Sequence, residues 1–271
     1  MTAIELAETP VRTRVASTRM RDVLYGEWIK LRSVRSTMWT LVALVGFGAG
    51  MTVLLCATSA DAIASGEAGD PPEAFITGGM VIAQVTAVVL GALAVSSEYS
   101  TGTIRTTLAA TPRRGQVMLA KCALIAVVLL VVGTVTAFLG YFAANPFLDA
   151  QGVGVPLGGE GVVRAMIGSG MSLAGMGLFA AAFAFLVRHT AAALTLSLAL
   201  IFVVGNLAML VPGDVGEWVT KLMPGNAGAN ISFVVNFDPT ALGPWEGFGV
   251  FCVEIATLLA LAAVRFVRRD A

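Results

Sequence analysis

Six long stretches of this chain contain almost no Asp, Glu, Lys or Arg, and this pattern constrains the fold more than any other feature of the sequence. A helix needs about 20 apolar residues to cross the hydrocarbon core of a membrane. In lipid, each crossing segment must satisfy its own backbone hydrogen bonds, which favours helices. We therefore predict an all-α integral membrane protein, with spans at about 37–58, 75–97, 117–144, 165–187, 190–211 and 247–267.

The composition agrees with lipid as the main solvent. Charged residues make up 13% of the chain and the mean hydropathy is +0.85, whereas soluble domains carry about 25% charged residues. The formal net charge of zero argues against nucleic acid as a partner. Cys56, Cys122 and Cys252 lie in or beside apolar stretches without metal-ligand spacing, so we interpret them as small hydrophobic residues.

The positive charges predict the orientation in the membrane. All but two of the 17 lysines and arginines flank the spans on one side, and the exceptions are Arg164 and Lys221. Because Lys and Arg stay in the cytoplasm, we expect both termini there, in a bacterial cytoplasmic membrane. Residues 1–19 would be a disordered cytoplasmic tail and residues 20–271 a single transmembrane domain. We call the side with residues 20–35, 98–114 and 188–189 the basic end, and the opposite side the acidic end.

A basic amphipathic segment at residues 20–35 precedes span one. Its apolar residues recur every three or four positions, as on one face of a helix: Met20, Val23, Leu24, Trp28, Leu31 and Val34. Such a helix would lie among the inner headgroups. It serves either as a surface anchor for span one or as an elbow helix that also touches a cytoplasmic partner. The residues assigned to this elbow helix are Trp28, Lys30, Leu31 and Arg32.

The connection between spans two and three is the most unusual polar stretch. It reads SSEYSTGTIRTTLAATPRRGQV from Ser96 to Val117. We expect Gly102 to break the helix of span two, a short helix to follow at about residues 103–110, and Thr111-Pro112 to cap and start span three. An ordinary helical hairpin would explain the arginines, but not a broken segment that carries a carboxylate.

Two further segments have alternative interpretations. Residues 212–246 contain AGANISFVVNF, which is too short to cross the membrane. We expect a re-entrant or interfacial piece there, and favour a structured outer cap over a substrate gate. Span four is rich in Gly, Ala and Ser, which supports close helix packing or a dimer contact.

Glu254 is the only charged residue well inside a predicted span. Intramembrane carboxylates are costly and are often functional. Gln84 and Asn206 are its candidate hydrogen-bond partners, and the group serves either structural pairing or contact with a substrate or gate. The single histidine and the lack of HExxH, GxSxG and P-loop motifs leave little room for a hydrolase or for ATP binding by this chain.

Three of these features together resemble permease subunits of ATP-binding-cassette transporters of the second, exporter-like type. GEWIKLRSVRSTMW at residues 26–39 is similar to the elbow helix of that family. SSEYSTGTIRTTLAATPRR at residues 96–114 is similar to its Glu-Tyr-x-x-Gly-Thr loop, which contains the coupling helix. The six-span layout with a long outer stretch before the last span is the third feature.

The resemblance implies a dimer with a second permease copy or paralogue, surrounded by membrane lipids, and cytoplasmic ATPase subunits that bind ATP and Mg²⁺. This chain would hold no cofactor and would have no enzymatic activity. By matching positions, the ATPase contact would comprise Glu98, Tyr99, Gly102, Thr103, Ile104, Arg105, Thr107 and Leu108. The expected function is ATP-driven export of a hydrophobic or amphipathic antibiotic, peptide or lipid. A membrane-embedded binding, immunity or regulatory protein is the alternative.

Overall fold

The computed structural model describes residues 19–111, 113–236 and 240–268, without the side chains of Val267 and Arg268. In these ranges the chain is helical, without strands, and six helices are long and apolar enough to cross a membrane. The helices are α1 (Met20–Ser33), α2 (Arg35–Ser65), α3 (Met80–Thr101), α4 (Thr103–Ala110), α5 (Arg114–Asp149), α6 (Val162–Val187), α7 (Thr190–Ala208), α8 (Asp214–Leu222), α9 (Pro224–Ala229) and α10 (Pro244–Arg268). The predicted fold class is confirmed, whereas the predicted disordered tail falls almost wholly outside the described residues.

The six spans are α2, α3, α5, α6, α7 and α10, and several of them differ in length from the prediction. α2 continues to Ser65 and ends at Gly66, whose left-handed conformation (φ 79°) terminates the helix. α5 continues beyond residue 144, the predicted end of span three, passes through Pro146 and reaches Asp149. A proline so close to the end of a helix removes only one late backbone hydrogen bond, so the last turn persists.

The predicted cap of span three is wrong. The Thr111 amide donates to the carbonyl of Thr107 at 2.9 Å, so Thr111 closes α4 instead of opening the next helix. α5 begins at Arg114, after Arg113. Pro112 lies outside the described residues.

α6 forms the centre of the bundle. Of its most apolar stretch 72% is buried, compared with 22% for both α2 and α10. A side chain at Gly91 of α3 would overlap the backbone of Gly177 in α6, so the two helices approach closely only because Gly91 is a glycine. The small residues of span four therefore pack against the other helices of the same chain, and the packing interpretation is confirmed.

At the basic end, α1 lies against the bundle as a separate helix. Val34 is extended (φ −83°, ψ 114°) and separates α1 from α2. Val23 of α1 packs with Val117 and Ala120 of α5, and Leu108 of α4 joins the same apolar contact. The elbow helix α1 and the short helix α4 therefore pack against the same apolar part of α5.

The acidic end is less regular. Residues 199–204 of α7 form a π-helix, and α8 and α9 are followed by a short 3₁₀ turn at residues 230–232. A side chain at Gly168, six residues into α6, would meet the carbonyl of Ile231, so this segment reaches about 9 Å along α6. The backbone of residues 227–232 is largely buried against protein, whereas most of α8 is exposed.

Candidate functional site

Four charged side chains from three helices meet at the basic end, and we call them the charge cluster: Glu27 and Lys30 of α1, Glu98 of α3 and Lys121 of α5. Lys121 Nζ lies 2.6 Å from Glu27 Oε2 and 3.0 Å from Glu98 Oε1. Lys30 Nζ lies 2.6 Å from Glu27 Oε1 and 3.0 Å from the same Glu98 oxygen. Each lysine therefore bridges both carboxylates.

The short helix α4 is attached to this cluster through a hydroxyl. Lys30 Nζ donates to Thr107 Oγ1 at 2.9 Å. The Thr107 hydroxyl in turn donates to the carbonyl of Thr103 one turn earlier, at 3.1 Å. One lysine thus connects the elbow segment, the end of span two and the connection that follows span two.

The charge cluster is largely withdrawn from solvent. Glu27, Glu98 and Lys121 are 3%, 7% and 4% exposed, and only Lys30 reaches the surface. Two carboxylates and two ammonium groups balance one another, so the cluster as a whole has no net charge. Removing one partner from a buried ion pair costs about 3–5 kcal/mol, because the remaining charge is left without compensation.

The titration of the two groups on α1 follows from this arrangement. Burial alone would raise the pKa of the Glu27 carboxyl, but the charges and hydrogen bonds of Lys121 and Lys30 outweigh burial, so its pKa lies below the ordinary value of 4.5. Burial alone would lower the pKa of the Lys30 ammonium, but Glu27 and Glu98 outweigh it and raise that pKa above 10.5. Both groups are charged at neutral pH.

The structure divides the residues predicted for the ATPase contact into two sets. Thr103 and Arg105 are exposed on α4, together with Thr106 of the same stretch. Glu98 and Ile104 are buried, at 7% and 4% exposure. These two residues offer no direct surface for a partner in this conformation. Glu98 is bound by Lys30 and Lys121, and Ile104 belongs to the apolar core. The remaining predicted residues are half-buried: Tyr99, Gly102, Thr107 and Leu108.

Tyr99 connects the same region to another turn. The Arg188 guanidinium lies 5.5 Å from the centre of the Tyr99 ring, in cation–π geometry. Arg188 joins α6 to α7 and has a left-handed backbone (φ 58°). The end of α3 is therefore in contact with α1, α5 and the turn between spans four and five.

Of the predicted elbow residues, only Lys30 takes part in the charge cluster. Trp28 and Arg32 are exposed and Leu31 is half-buried. These three residues line an apolar groove of about 360 Å³ that is completed by α2 and α5. The face of α1 that contacts the bundle contains Val23 and Glu27.

Sequence reasoning missed Glu27 and Lys121. Lys121 could have been sought by asking what neutralises Glu98, since a carboxylate at the end of a span requires a nearby cation, but no such question leads to Glu27, which is a second carboxylate. Lys121 lies within the apolar helix α5 instead of beside Arg113 and Arg114, and Glu27 lies one turn before Lys30. Their spacing in sequence from Glu98 does not indicate contact, which only the fold creates.

Glu254, Gln84 and Asn206, the predicted intramembrane polar group, do not form hydrogen bonds with one another. Gln84 and Asn206 line the same cavity at the acidic end, but Glu254 is not part of that cavity. Asn206 Nδ2 donates to the Phe202 carbonyl at 2.6 Å, and the buried Oε2 of Glu254 accepts no hydrogen bond from any described residue. Among the described residues there is also no group of three or more acidic, His or Cys side chains suited to a metal ion.

Comparison with known families completes this description. The model of a family described as "ABC-2 family transporter protein" matches residues 50–271. The chain belongs to this family. It is therefore a multi-pass membrane permease component of an ABC transporter, a class that works with an ATP-binding-cassette ATPase. The match includes Glu98, Thr107 and Lys121 but begins after α1, so Glu27 and Lys30 lie outside it. A comparison with curated proteins finds no match.

Proposed function

We propose that this ABC-2 permease forms the membrane pathway of an exporter and receives the motion of its ATPase through α4. The charge cluster is the observation that carries this proposal. Lys30 of α1 bonds to α4 through Thr107 and to α3 through Glu98. A displacement of α4 would therefore be passed to α1 and α3 directly, and to α5 through Lys121.

The exposed side of α4 is the surface proposed for the ATPase. It presents the hydroxyls of Thr103 and Thr106 and the guanidinium of Arg105. An acidic or polar surface on the ATPase would complement it, since charge complementarity speeds and orients association. Glu98 and Ile104 support this surface from behind, and Glu98 acts as a positioning residue.

The remaining parts of the proposal follow the family. ATP and Mg²⁺ are bound by the ATPase, two permease chains form the complete pathway, and the basic end faces the cytoplasm. A hydrophobic or amphipathic cargo suits a chain with few charges in its spans. Export as the direction of transport rests on the resemblance to the exporter-like type.

The proposed contact can be tested with a charge reversal on α4. We expect Arg105→Glu to reduce co-purification of the ATPase from membranes about tenfold, because one reversed charge at an interface costs on the order of 1.4 kcal/mol or more. Arg21→Glu is the matched control, since Arg21 is exposed at the same end but lies near the start of α1, away from the residues singled out on α1 and α4. Equal recovery of the ATPase with both variants would contradict the contact, and recovery of no ATPase with the unmodified chain would favour the binding or regulatory alternative.

The positioning role of Glu98 predicts a different result. Glu98→Ala leaves the exposed surface of α4 unchanged, so the ATPase should still bind. Substrate-stimulated ATP turnover in the reconstituted complex should fall, because α3 loses its connection to Lys30 and Lys121. Unchanged turnover would refute the role of the charge cluster in coupling.

The orientation is open to a separate test. Thr106→Cys and Ser65→Cys place single thiols at exposed positions of the basic and acidic ends, in a chain whose three native cysteines are replaced by alanine. Membrane-impermeant maleimide added to intact cells should label Ser65→Cys alone. Labelling of Thr106→Cys from outside would reverse the proposed topology.

A further inference from the structure

A cavity at the acidic end is lined by carboxamide side chains and lies away from the charge cluster. It lies between α3, α7 and the segment of α8 and α9, and has a volume of about 260 Å³. Sites for whole drug-sized molecules occupy about 300–1,000 Å³. The cavity therefore fits one part of a larger molecule.

Three asparagines of the lining are oriented by hydrogen bonds to backbone carbonyls. Asn206 Nδ2 donates to the Phe202 carbonyl, Asn226 Nδ2 donates to the Thr220 carbonyl at 2.9 Å, and Asn230 Nδ2 donates to the Leu242 carbonyl at 3.1 Å. Only the NH₂ end of an amide can donate to a carbonyl, so each bond also determines where the amide oxygen is. Within the described ranges these three oxygens accept no hydrogen bond, and they remain available to a ligand.

Gln84 of α3 provides the second observation. It is 4% exposed, lines the cavity, and its amide makes no hydrogen bond with any described residue. Gln84 is not among the fully enclosed side-chain groups without a partner, so its amide remains accessible from the cavity. Water can bond to this amide, and a ligand with matching donor and acceptor atoms can replace that water.

The walls of the cavity also contain apolar and charged groups. Phe202 and Phe233 contribute aromatic surface. Lys221 brings an ammonium group, which is 3.6 Å from Glu217 Oε2 and 5.4 Å from the Trp218 ring centre. A cationic ligand would be repelled by this ammonium group, whereas an uncharged one would not.

The backbone beside the cavity departs from regular α-helix. Ile201 and Phe202 belong to the π-helix of α7, and π-helical turns are frequent at functional sites. A side chain at Gly225 would overlap the carbonyl of Ile201. This close approach of α9 to α7 brings the adjacent Asn226 to the cavity.

We propose that this cavity binds an uncharged hydrogen-bond-donor group of the cargo, an N–H or O–H group next to an apolar part. The amide oxygens accept these donors, Gln84 both accepts and donates, and the aromatic rings cover the apolar part. Peptide amides and sugar hydroxyls both present this chemistry. The identification of the ligand as cargo rests on the proposed permease function, while binding itself does not.

Protection of a thiol tests binding without the ATPase. The permease alone is placed in lipid nanodiscs with Val81→Cys as the reporter, since Val81 is exposed and lines the cavity, and with the native cysteines replaced by alanine. Three probes share an eight-carbon chain: octyl glucoside with O–H donors, N-octanoylglycinamide with N–H donors, and methyl octanoate with no donor. We expect one or both donor probes to slow maleimide labelling, and the protecting probe identifies the source of the donors.

Variants of the lining separate specific binding from partitioning into lipid. Gln84→Leu should raise the half-protecting concentration about two- to tenfold, as loss of one hydrogen bond predicts. Asn206→Ala, at an exposed position, should act in the same direction if Gln84→Leu fails to fold. Gln151→Leu, the same change at an exposed acidic-end position outside the cavity, should have no effect.

Two outcomes would overturn the inference. One is protection by methyl octanoate as strong as that by the donor probes, and the other is protection by none of them. Because the assay contains no ATPase, these outcomes are distinguishable from failure of the permease proposal, which would appear as recovery of no ATPase with the unmodified chain.

Discussion

The charge cluster at the basic end and the amide-lined cavity at the acidic end are two polar regions of a largely apolar chain, and they are built differently. In the charge cluster, every side chain bonds to a side chain of another helix, and four helices are joined. In the cavity, the asparagines bond to nearby backbone carbonyls and leave one end of each amide open. The charge cluster joins helices to one another, whereas the cavity orients side chains whose amide oxygens can accept a hydrogen bond from a ligand.

The difference has an energetic cause. A buried charge must be compensated, so the cluster is formed only when all its members are present. An amide loses much less when one of its hydrogen bonds is missing, so it can remain open at small cost. Charged residues therefore suit a mechanical connection, and amides suit a site that is alternately empty and filled.

The largest expected effect is the loss of the central cation of the cluster. Lys121→Met should lower the free energy of unfolding in detergent micelles by about 3–5 kcal/mol, because Glu27 and Glu98 would remain buried with too little positive charge. Lys221→Met is the matched control at the acidic end, where the pair with the exposed Glu217 should be worth about 1 kcal/mol or less. Equal losses in the two variants would remove the distinction between the two ends.

Acid pH should weaken the same cluster, with a smaller effect because a protonated carboxyl can still form hydrogen bonds. The pKa of Glu27 is lowered on folding, so its contribution is present above its unfolded pKa and is lost as pH falls through the folded pKa, below 4.5. The pKa of Lys30 is raised, so its contribution is present below its unfolded pKa and is lost as pH rises through the folded pKa, above 10.5.

Unfolding experiments between pH 3 and pH 8 would measure how the contribution of Glu27 to the free energy of unfolding is lost at acid pH. The stability difference between the wild-type chain and Glu27→Gln should be constant near neutral pH and should shrink below about pH 4.5. Glu217→Gln, at the exposed pair of the acidic end, is the control and should show little such dependence. A difference that grows on acidification would have the wrong sign for the proposed cluster.

A third variant tests whether a charge also anchors the acidic end. Arg164 of α6 donates to the carbonyls of Ile231 and Phe233 at 3.2 and 3.0 Å, and to that of Val234 at 3.5 Å. Arg164→Met should cost about 1.5–3 kcal/mol, the range for hydrogen bonds to a charged group, and should speed proteolysis near residues 230–236. Arg35→Met, at an exposed position of the basic end, should leave that cleavage rate unchanged, and an equal increase would show that the anchor is not local.

The smallest expected effect belongs to the cavity. Gln84→Leu should change the free energy of unfolding by about 1 kcal/mol or less, because the Gln84 amide has no partner to lose among the described residues. Thermal unfolding in the same micelles as for Lys121→Met gives a direct comparison. A loss as large as that of Lys121→Met would mean that Gln84 supports the fold and would weaken the case for an open site.

Some features of the candidate site could be predicted and others could not. The special character of residues 96–114, with Gly102 as the helix break, follows from local sequence, and the structure has the break there. The predicted pairing of Glu254 with Gln84 and Asn206 failed, because polar residues in different spans were joined without knowledge of which helix faces meet. Lys121 was counted only as a positive charge at the basic end, although it is the most buried cation of the cluster.

The sequence by itself determined the all-helical fold and the six spans, because a membrane span is a local property of about 20 consecutive residues. It also determined the unequal distribution of charge between the two ends. Only the tertiary structure decided that Glu27, Lys30, Glu98 and Lys121 form one cluster, and that Gln84 and four asparagines share one cavity. These contacts join residues as far apart as 94 positions, and helix packing, which depends on steric fit at places such as Gly91 and Gly177, brings them together.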